Sequence, residues 1–468
     1  MDLLRKYFMQ LEIDPRDVPL DASPPPPTPP SVPSEPPPPS PPPGPAVIED
    51  NSDSDQEVID MTVGDSPVNE YGLPDGEDAI YVYYDMTERR YQHVLLRGGE
   101  DKRHTPSKTL QAQPNPKQAM TTKNTWAVSE KGTFVRDPSK FRNWIEPRAD
   151  AEFPAEANRY HLYISLACPW AHRCLITLNL KGLQDIIGLS VVHPVFQRTR
   201  PNDPEDQHMS WAFADPKKTP WLPGPSGLGE YSSEGSIPDT VNNAQYVRDL
   251  YEMCSKGNTR YTVPVLWDKV KKTIVSNESA DIIRMFNSSF DALAPSKLDL
   301  YPAEFREDIN AINEWIYNDI NNGVYKCGFS TTQVAYDEAV TKLFESLDRV
   351  EDILSKQRFL MGDVFTEADV RLFTTLIRFD EVYHVHFKTN KKMIKDYPNL
   401  LNYTREIYQF PPVAKTVNMQ HIKLHYYGSH THLNSFGIVP AGPNTDYSIK
   451  HDRERFTATI PEFAVNSN

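Results

Sequence analysis

Residues 159–173, Arg-Tyr-His-Leu-Tyr-Ile-Ser-Leu-Ala-Cys-Pro-Trp-Ala-His-Arg, constrain this chain more than any other stretch. Tyr160, Leu162 and Ile164 alternate with His161, Tyr163 and Ser165, the period of a strand built from aromatic and β-branched residues. Cys168 follows, and then Pro169, a residue that suits the first helical turn, where a backbone N–H lacks a partner anyway. Helix formers come next, with Ala171, Leu175, Leu178 and Leu180 as an apolar stripe. The reading is a strand that delivers Cys168 to a helix N-terminus, where unpaired N–H groups and the helix dipole favour negative charge. A thiol so placed is expected to have a lowered pKa, with Arg173 and protonated His172 adding positive charge.

Cys168, Cys174, Cys254 and Cys327 are the only cysteines, and no two form a C-x-x-C pair. Ala171 stands where the second thiol of a C-P-x-C motif would be. Cys174, six positions from Cys168, is off-face on a helix of about 3.6 residues per turn. A zinc site and a dithiol oxidoreductase are therefore disfavoured. Two readings remain: a buried structural cysteine, or a monothiol that needs a diffusible second thiol to complete a redox cycle. The Cys-Pro turn favours the second.

The segment Cys168-Pro-Trp-Ala-His-Arg173 resembles the signature of the glutathionyl-hydroquinone reductases, the xi class of glutathione transferases and sisters of the omega class. Three further segments fit the same family: residues 261–269 (YTVPVLWDK), 275–285 (VSNESADIIRM) and 323–333 (GVYKCGFSTTQ). The resemblance runs from about Thr121 to about Pro443. It implies an α/β plus all-α architecture: a thioredoxin-like, glutathione-binding domain over 121–290, an all-helical domain over 291–435, and a tail over 436–468. A disordered Pro-rich, acidic arm over 1–120 precedes them. In thioredoxin-like folds the proline of a segment such as Val263-Pro264 is cis and lies beside the active cysteine. The Val263 backbone then pairs with glutathione as an added strand does. By resemblance, Trp211 helps bind glutathione.

Asn277-Glu278-Ser279 precedes a helical run to Met285. A helix N-terminus binds a carboxylate, and Glu278 can accept from an ammonium, so together they suit the γ-glutamyl end of glutathione. Ser279 also reads as a plain helix N-cap. Arg260 is a candidate for the other carboxylate of the peptide. Tyr317, Tyr325, Tyr383, His384, His386, Phe387 and Lys388 are an aromatic and basic supply for an acceptor pocket, with Tyr317 and Tyr383 as candidate proton donors. Core tyrosines and solvated histidines are the alternative.

Elsewhere the chain divides by composition. Pro24 to Pro45 is an interrupted polyproline tract, which favours an extended helix with no core to bury. It can serve as a spacer or bind SH3 or WW modules. Leu3, Leu4, Tyr7, Phe8 and Leu11 share one helical face, and two strand-like islands, 79–84 and 91–96, suggest a hairpin. Residues 124–145 read as a lead-in packed on the thioredoxin-like domain, and 189–195 as a buried strand. The stretch 197–239, rich in Pro, Gly and Trp, reads as a long loop without secondary structure. Its Trp211, Trp221 and Tyr231 are expected to cover something. Tyr246 to Cys254 reads as a helix. Ile309, Ile312, Trp315, Ile316 and Ile320 make one helical stripe and Ala339, Leu343, Leu347, Val350 and Leu354 another. Thr366 and Asp369 form a capping box, with Phe365 and Val370 as its hydrophobic staple.

An excess of 64 acidic over 49 basic residues gives a net charge of −15, a poor match to nucleic acid or an anionic membrane. No run of about 18 apolar residues suggests a membrane span. No G-x-G-x-x-G or Walker fingerprint supports a nucleotide cofactor, and no ligand cluster suggests a metal. The expectation is a cytoplasmic homodimer that uses glutathione as co-substrate. It would remove glutathione from S-glutathionyl-hydroquinones through a Cys168–glutathione mixed disulfide. The alternatives are an omega-like thiol transferase or dehydroascorbate reductase, an ordinary conjugating transferase, and a non-catalytic binding module.

Overall fold

A computed structural model of the chain describes residues 79–85, 90–96, 127–255 and 260–458. The Leu3–Leu11 face, the polyproline tract and the acidic run lie outside the described residues. The chain divides into two units, Met1–Ala112 and Gln113–Asn468. In the first, Ala79–Asp85 pairs antiparallel with Arg90–Leu96, Ala79 opposite Leu96 and Asp85 opposite Arg90, as the two islands suggested.

The second unit is built on a four-stranded sheet. In chain order its elements are β1 (Tyr160–Ile164), α1 (Pro169–Leu180), β2 (Gly188–Val191), α2 (Val247–Cys254), β3 (Val265–Asp268), β4 (Thr273–Ser276) and α3 (Ser279–Ser288). The strand order is β4-β3-β1-β2. β1 runs parallel to β2 across α1, and antiparallel to β3, which pairs antiparallel with β4. Every residue of β1 is buried, because both faces of the sheet are covered. For the same reason α1 is buried almost all round rather than along one stripe. Its polar residues find partners: His172 Nε2 lies 2.7 Å from Thr416 Oγ1, and Arg173 donates to Asn321 Oδ1 at 2.8 Å. Arg159 and Asp268, both nearly buried, pair at 2.6 Å and tie the ends of β1 and β3.

The expected strand over 189–195 stops at Val191, where the pairing passes to Ile237: Val191 and Ile237 exchange both backbone hydrogen bonds. The 197–239 stretch is not structureless. Gln197–Arg198 pairs with Met209–Ser210, and Trp221–Pro223 with Glu230–Ser232. Trp211 and Tyr231 are buried, but Trp221 is 56% exposed. At its end Asp239 accepts the Tyr163 hydroxyl at 2.8 Å and the N–H groups of Val241 and Ala244, fastening the loop to β1. The lead-in behaves as expected. Asn143 N–H reaches Val275 O, Phe141 N–H reaches Asn277 Oδ1, and Arg142 grips Asp281 through two 2.7 Å contacts. It thereby covers the edge at β4, a position that would otherwise present unpaired backbone groups.

The rest is helical: α4 (Arg306–Trp315), α5 (Gly323–Gly328), α6 (Gln333–Lys356), α7 (Glu367–Arg378), α8 (Pro398–Gln409) and α9 (Met419–Ser429). Wider π-helical turns extend two of them, Ile316–Asn321 after α4 and Phe379–Tyr383 after α7. Such turns re-aim side chains and recur at functional sites. Ile309, Ile312, Ile316 and Ile320 are buried, as are Leu343, Leu347, Val350 and Leu354. The capping box forms: Asp369 Oδ2 accepts Thr366 N–H at 2.8 Å, with Phe365 and Val370 buried beside it. From 436 to 458 the chain docks on the helices, since fully buried Arg453 donates to Leu354 O at the end of α6 and to Arg358 O just beyond it. Among the described residues no helix is long and apolar enough to cross a membrane.

Gly328 ends α5 against the Phe387 ring, into which an added Cβ would run. Phe387 lies flat on Tyr383 and cannot yield cheaply. Gly328→Ala should lower the thermal midpoint, at a cost of about 1–3 kcal/mol for overpacking. An unchanged melting curve would show that this aromatic layer is loose.

Candidate active site

Cys168 is the N-cap of α1, with Pro169 as the first helical residue. Its sulfur lies 3.5 Å from Val263 O, beside the cis Val263-Pro264 bond. The thiol therefore sits between a helix N-terminus and the end of β3, at the floor of a cavity of about 450 Å³. Its pKa does not follow the helix dipole. Burial pushes the thiol up from its ordinary value. The N–H groups of Ala171 and Trp170 and the cations Arg136 and Arg378 pull the other way without overcoming it. The expectation of a lowered pKa is thus corrected, because the dipole argument omits the cost of charging a sulfur that is largely buried at the cavity wall. The neighbouring Cys174 is pushed up further, again by burial, and Cys327 up to about 12. His172 is also corrected: burial holds it neutral, far below its usual range.

One wall of the cavity is polar. Glu278, not Ser279, caps α3: Oε1 accepts Ala280 N–H at 3.0 Å, and Oε2 accepts the Ser139 hydroxyl at 2.9 Å. Ser279 is the first residue of the helix proper and is buried. Arg260 lines the same cavity and pairs with Asp137 at 3.2 Å. Trp211 lies against His425, ring centroids 4.5 Å apart, and edge-on to Phe196 at 4.7 Å. His425 is neutral, burial pushing it down to about 3.

The opposite wall is aromatic. Trp170 carries the Arg136 guanidinium 4.2 Å and the Arg173 guanidinium 4.5 Å from its ring centroid. Tyr317, on the π-helical turn after α4, is 5.7 Å from Trp170 and lines the cavity. Tyr325 and Tyr426 also line it, their hydroxyls 2.5 Å apart, and Tyr383 Oη lies 3.1 Å behind Tyr426 Oη. Burial pushes all three linked phenols above their ordinary range, so they are neutral and able to donate.

The sequence candidates Cys168, Trp211, Arg260, Val263, Pro264, Glu278, Ser279 and Tyr317 thus line one cavity. Tyr383 does not: it stands one hydroxyl behind the wall. His386 and Phe387 pack in the layer behind, while His384 and exposed Lys388 are not among the lining residues. Sequence reasoning missed Arg136, Ser139, Phe196, Tyr251, His425, Tyr426 and His430. The spacing of His425, Tyr426 and His430 at one end of α9 was the available signal for three of them.

Comparison with known proteins places this geometry. The glutathione S-transferase N-terminal domain family matches residues 167–289, and the glutathione S-transferase C-terminal domain family matches 333–406. Glutathionyl-hydroquinone reductase YqjG of Escherichia coli is 47% identical over 71% of this chain and 96% of its own length. Glutathionyl-hydroquinone reductase PcpF of Sphingobium chlorophenolicum is 45% identical over 67% of this chain and 91% of its own. Among solved structures, the glutathione-S-transferase Xi of Phanerochaete chrysosporium superposes with a TM-score of 0.60 at 47% identity, covering 68% of this chain and all of that one. The glutathione-bound structure of YqjG gives the same TM-score and identity, over 68% of this chain and 97% of that one. The fold, the cavity and these relatives agree: the chain belongs to the glutathionyl-hydroquinone reductases, the xi class of glutathione transferases.

Proposed function

We propose that this protein removes glutathione from S-glutathionyl-hydroquinones, with Cys168 as nucleophile and free glutathione as the second substrate. The observation that carries this reading is the convergence, in one cavity, of the Cys168 sulfur, the Glu278–Ser279 helix start and a chain of neutral phenols. Glutathione would lie with its γ-glutamyl end at Glu278 and Ser279, its backbone along Val263 and Pro264, its other carboxylate toward Arg260, and Trp211 packed against it.

In the first step the Cys168 sulfur attacks the glutathione sulfur. A sulfur–sulfur bond forms, and the carbon–sulfur bond breaks with its electron pair left on the ring carbon. That carbon takes a proton, so the proton lost from the thiol equals the proton gained by the ring. Tyr325, Tyr426 and Tyr383 form the route for it, with Tyr317 on the same wall. The ring is reduced and the sulfur oxidised. In the second step a free glutathione attacks the mixed disulfide, restoring the Cys168 thiol and releasing glutathione disulfide. The proton that the Cys168 thiol gives up as its sulfur attacks balances the proton that the ring carbon takes.

An omega-like thiol transferase would use the same sulfur. The phenols favour an aromatic acceptor, because the Tyr325 and Tyr426 hydroxyls that line the cavity can hydrogen-bond the phenolic oxygens of a hydroquinone. A side-by-side assay with a glutathionyl-hydroquinone, dehydroascorbate and a chloro-dinitrobenzene-type substrate tests this. The hydroquinone should be turned over at least about tenfold more efficiently, a difference of some 1.4 kcal/mol. A preference for dehydroascorbate would move the protein to the omega-like reading.

The same reading places the glutathione-binding domain at 121–290, the helical domain at 291–435 and the arm at 1–120. It includes a cytoplasmic homodimer, supported by the family membership and the acidic, cysteine-poor composition. An SH3- or WW-type partner for the PxxP tract belongs to the arm alone. A chain beginning at Met120 should fold and keep its reductase activity within a few-fold. Insolubility, or lost activity with Cys168 still reactive, would make the arm part of the fold.

A further inference from the structure

Arg378, at the end of α7, is fully buried. Its Nε donates to Ala167 O at 2.9 Å and its Nη2 to Leu166 O at 3.0 Å. Its Nη1 donates to Thr374 O at 2.7 Å and lies 3.1 Å from His172 Nδ1. His172 thereby accepts at Nδ1 and donates from Nε2 to Thr416 Oγ1, whose hydroxyl donates to Val413 O at 2.6 Å. Every hydrogen-bond partner of this guanidinium among the described residues is neutral.

A buried cation without a counterion is costly, and its position is informative. Leu166 and Ala167 are the two residues before Cys168, and His172 lies on the first turn of the helix that Cys168 caps. Arg378 thus holds the turn from both sides, and its charge, which no hydrogen-bond partner among the described residues neutralises, favours an anion at Cys168. We propose that Arg378 is a positioning residue: it clamps the Leu166-Ala167-Cys168 turn against the helical domain and holds the anion that forms on Cys168. The sulfur becomes its counterion only as the thiol gives up its proton, which ties charging of the nucleophile to contact between the two domains. The inference rests on Cys168 being the nucleophile.

Other groups lie within electrostatic reach of the sulfur. Arg136 comes from the lead-in and Cys174 from α1, while Tyr325 and Tyr383 come from the helical domain. Arg136 and Arg378 are the two cations among them, and both favour the anion. Arg136 stacks on Trp170 and touches no part of the turn's backbone in any contact described above. The two roles are therefore separable at Arg378.

The test is the pH dependence of Cys168 alkylation by iodoacetamide in the unliganded full-length protein, located by peptide mass spectrometry, beside kcat and the KM for glutathione. Arg378→Met should raise the alkylation midpoint by about 1 pH unit or more, the usual effect of losing an opposite charge nearby. Arg378→Lys keeps the charge but cannot span two carbonyls and an imidazole with one ammonium. Its midpoint should stay within about half a unit of the wild type, while kcat falls roughly 10- to 100-fold from a misplaced sulfur. KM for glutathione should hold in both. A folded Met variant with the wild-type midpoint would overturn the proposal. So would a Lys variant with wild-type kcat, and this arm decides if the Met variant does not fold. Alkylation reads the thiol without turnover. A wild-type protein inactive on hydroquinone conjugates would therefore sink the proposed function and leave the midpoint comparison standing as a test of the clamp.

Discussion

Cys168→Ser should reduce release of hydroquinone from its glutathione conjugate to the uncatalysed rate while glutathione still binds. A hydroxyl at neutral pH is a poor nucleophile and cannot form the mixed disulfide, so both half-reactions are lost together. The substitution removes little else. Serine is nearly isosteric, and the described hydrogen bond of the thiol, to Val263 O at 3.5 Å, is one that a hydroxyl can keep. Calorimetric binding of glutathione should therefore change by no more than a few-fold. Residual turnover above the no-enzyme rate would point to a second nucleophile. Cys174 is a weak candidate, since it is fully buried and its thiol points to Trp170 O at 3.8 Å.

The second large effect is expected at Glu278. Glu278→Ala removes an anion partner for the γ-glutamyl ammonium, but it also removes the cap of α3. Loss of a cap alone costs about 0.5–2 kcal/mol of stability. Glu278→Gln separates the two effects. The amide oxygen can still accept Ala280 N–H, and the Ser139 hydroxyl can turn to accept from the amide nitrogen. Only the charge is lost. Glutathione affinity should fall by about 2 kcal/mol, in the range for hydrogen bonds to charged groups, or roughly thirtyfold in Kd, with little change in thermal midpoint. Equal affinity for glutathione in the Gln variant would place the γ-glutamyl end elsewhere.

Local features of this fold were legible because local physics decides them. The alternation of Tyr160 to Ile164, the Cys168-Pro169 turn, the Thr366–Asp369 box and the two helical stripes each depend on residues within one or two turns. The polar wall of the site was legible for the same reason, since Glu278 and Ser279 sit where a strand ends and a helix begins. The aromatic wall was legible in part. Tyr317 and Tyr325 were already candidates for the acceptor pocket, but Tyr426 and His425 arrive from α9, about a hundred residues further on.

Three errors share one cause. The lowered thiol pKa, the charged His172 and the one-sided stripe of α1 all treated that helix as a surface helix with solvent on one side. In the folded protein α7 and the Thr416 segment close that side. Burial then outweighs the dipole at Cys168, neutralises His172 and leaves Arg378 with neutral partners. The same closure turns the sequence around Leu166-Ala167 from an unremarked spacer into one of the places where the helical part of the chain holds the sheet-bearing part. The 197–239 loop misled for a simpler reason. Its ladders are two or three residues long, too short to leave a period in a stretch rich in Pro and Gly.

The most direct test of the central claim is a single turnover without free glutathione. Full-length protein is mixed with one equivalent of a glutathionyl-hydroquinone, quenched in acid and mapped by mass spectrometry. One glutathione should be found in disulfide linkage at Cys168, with one equivalent of hydroquinone released and no glutathione disulfide until glutathione is added. Hydroquinone released with Cys168 unmodified, or an adduct confined to Cys174, Cys254 or Cys327, would contradict it.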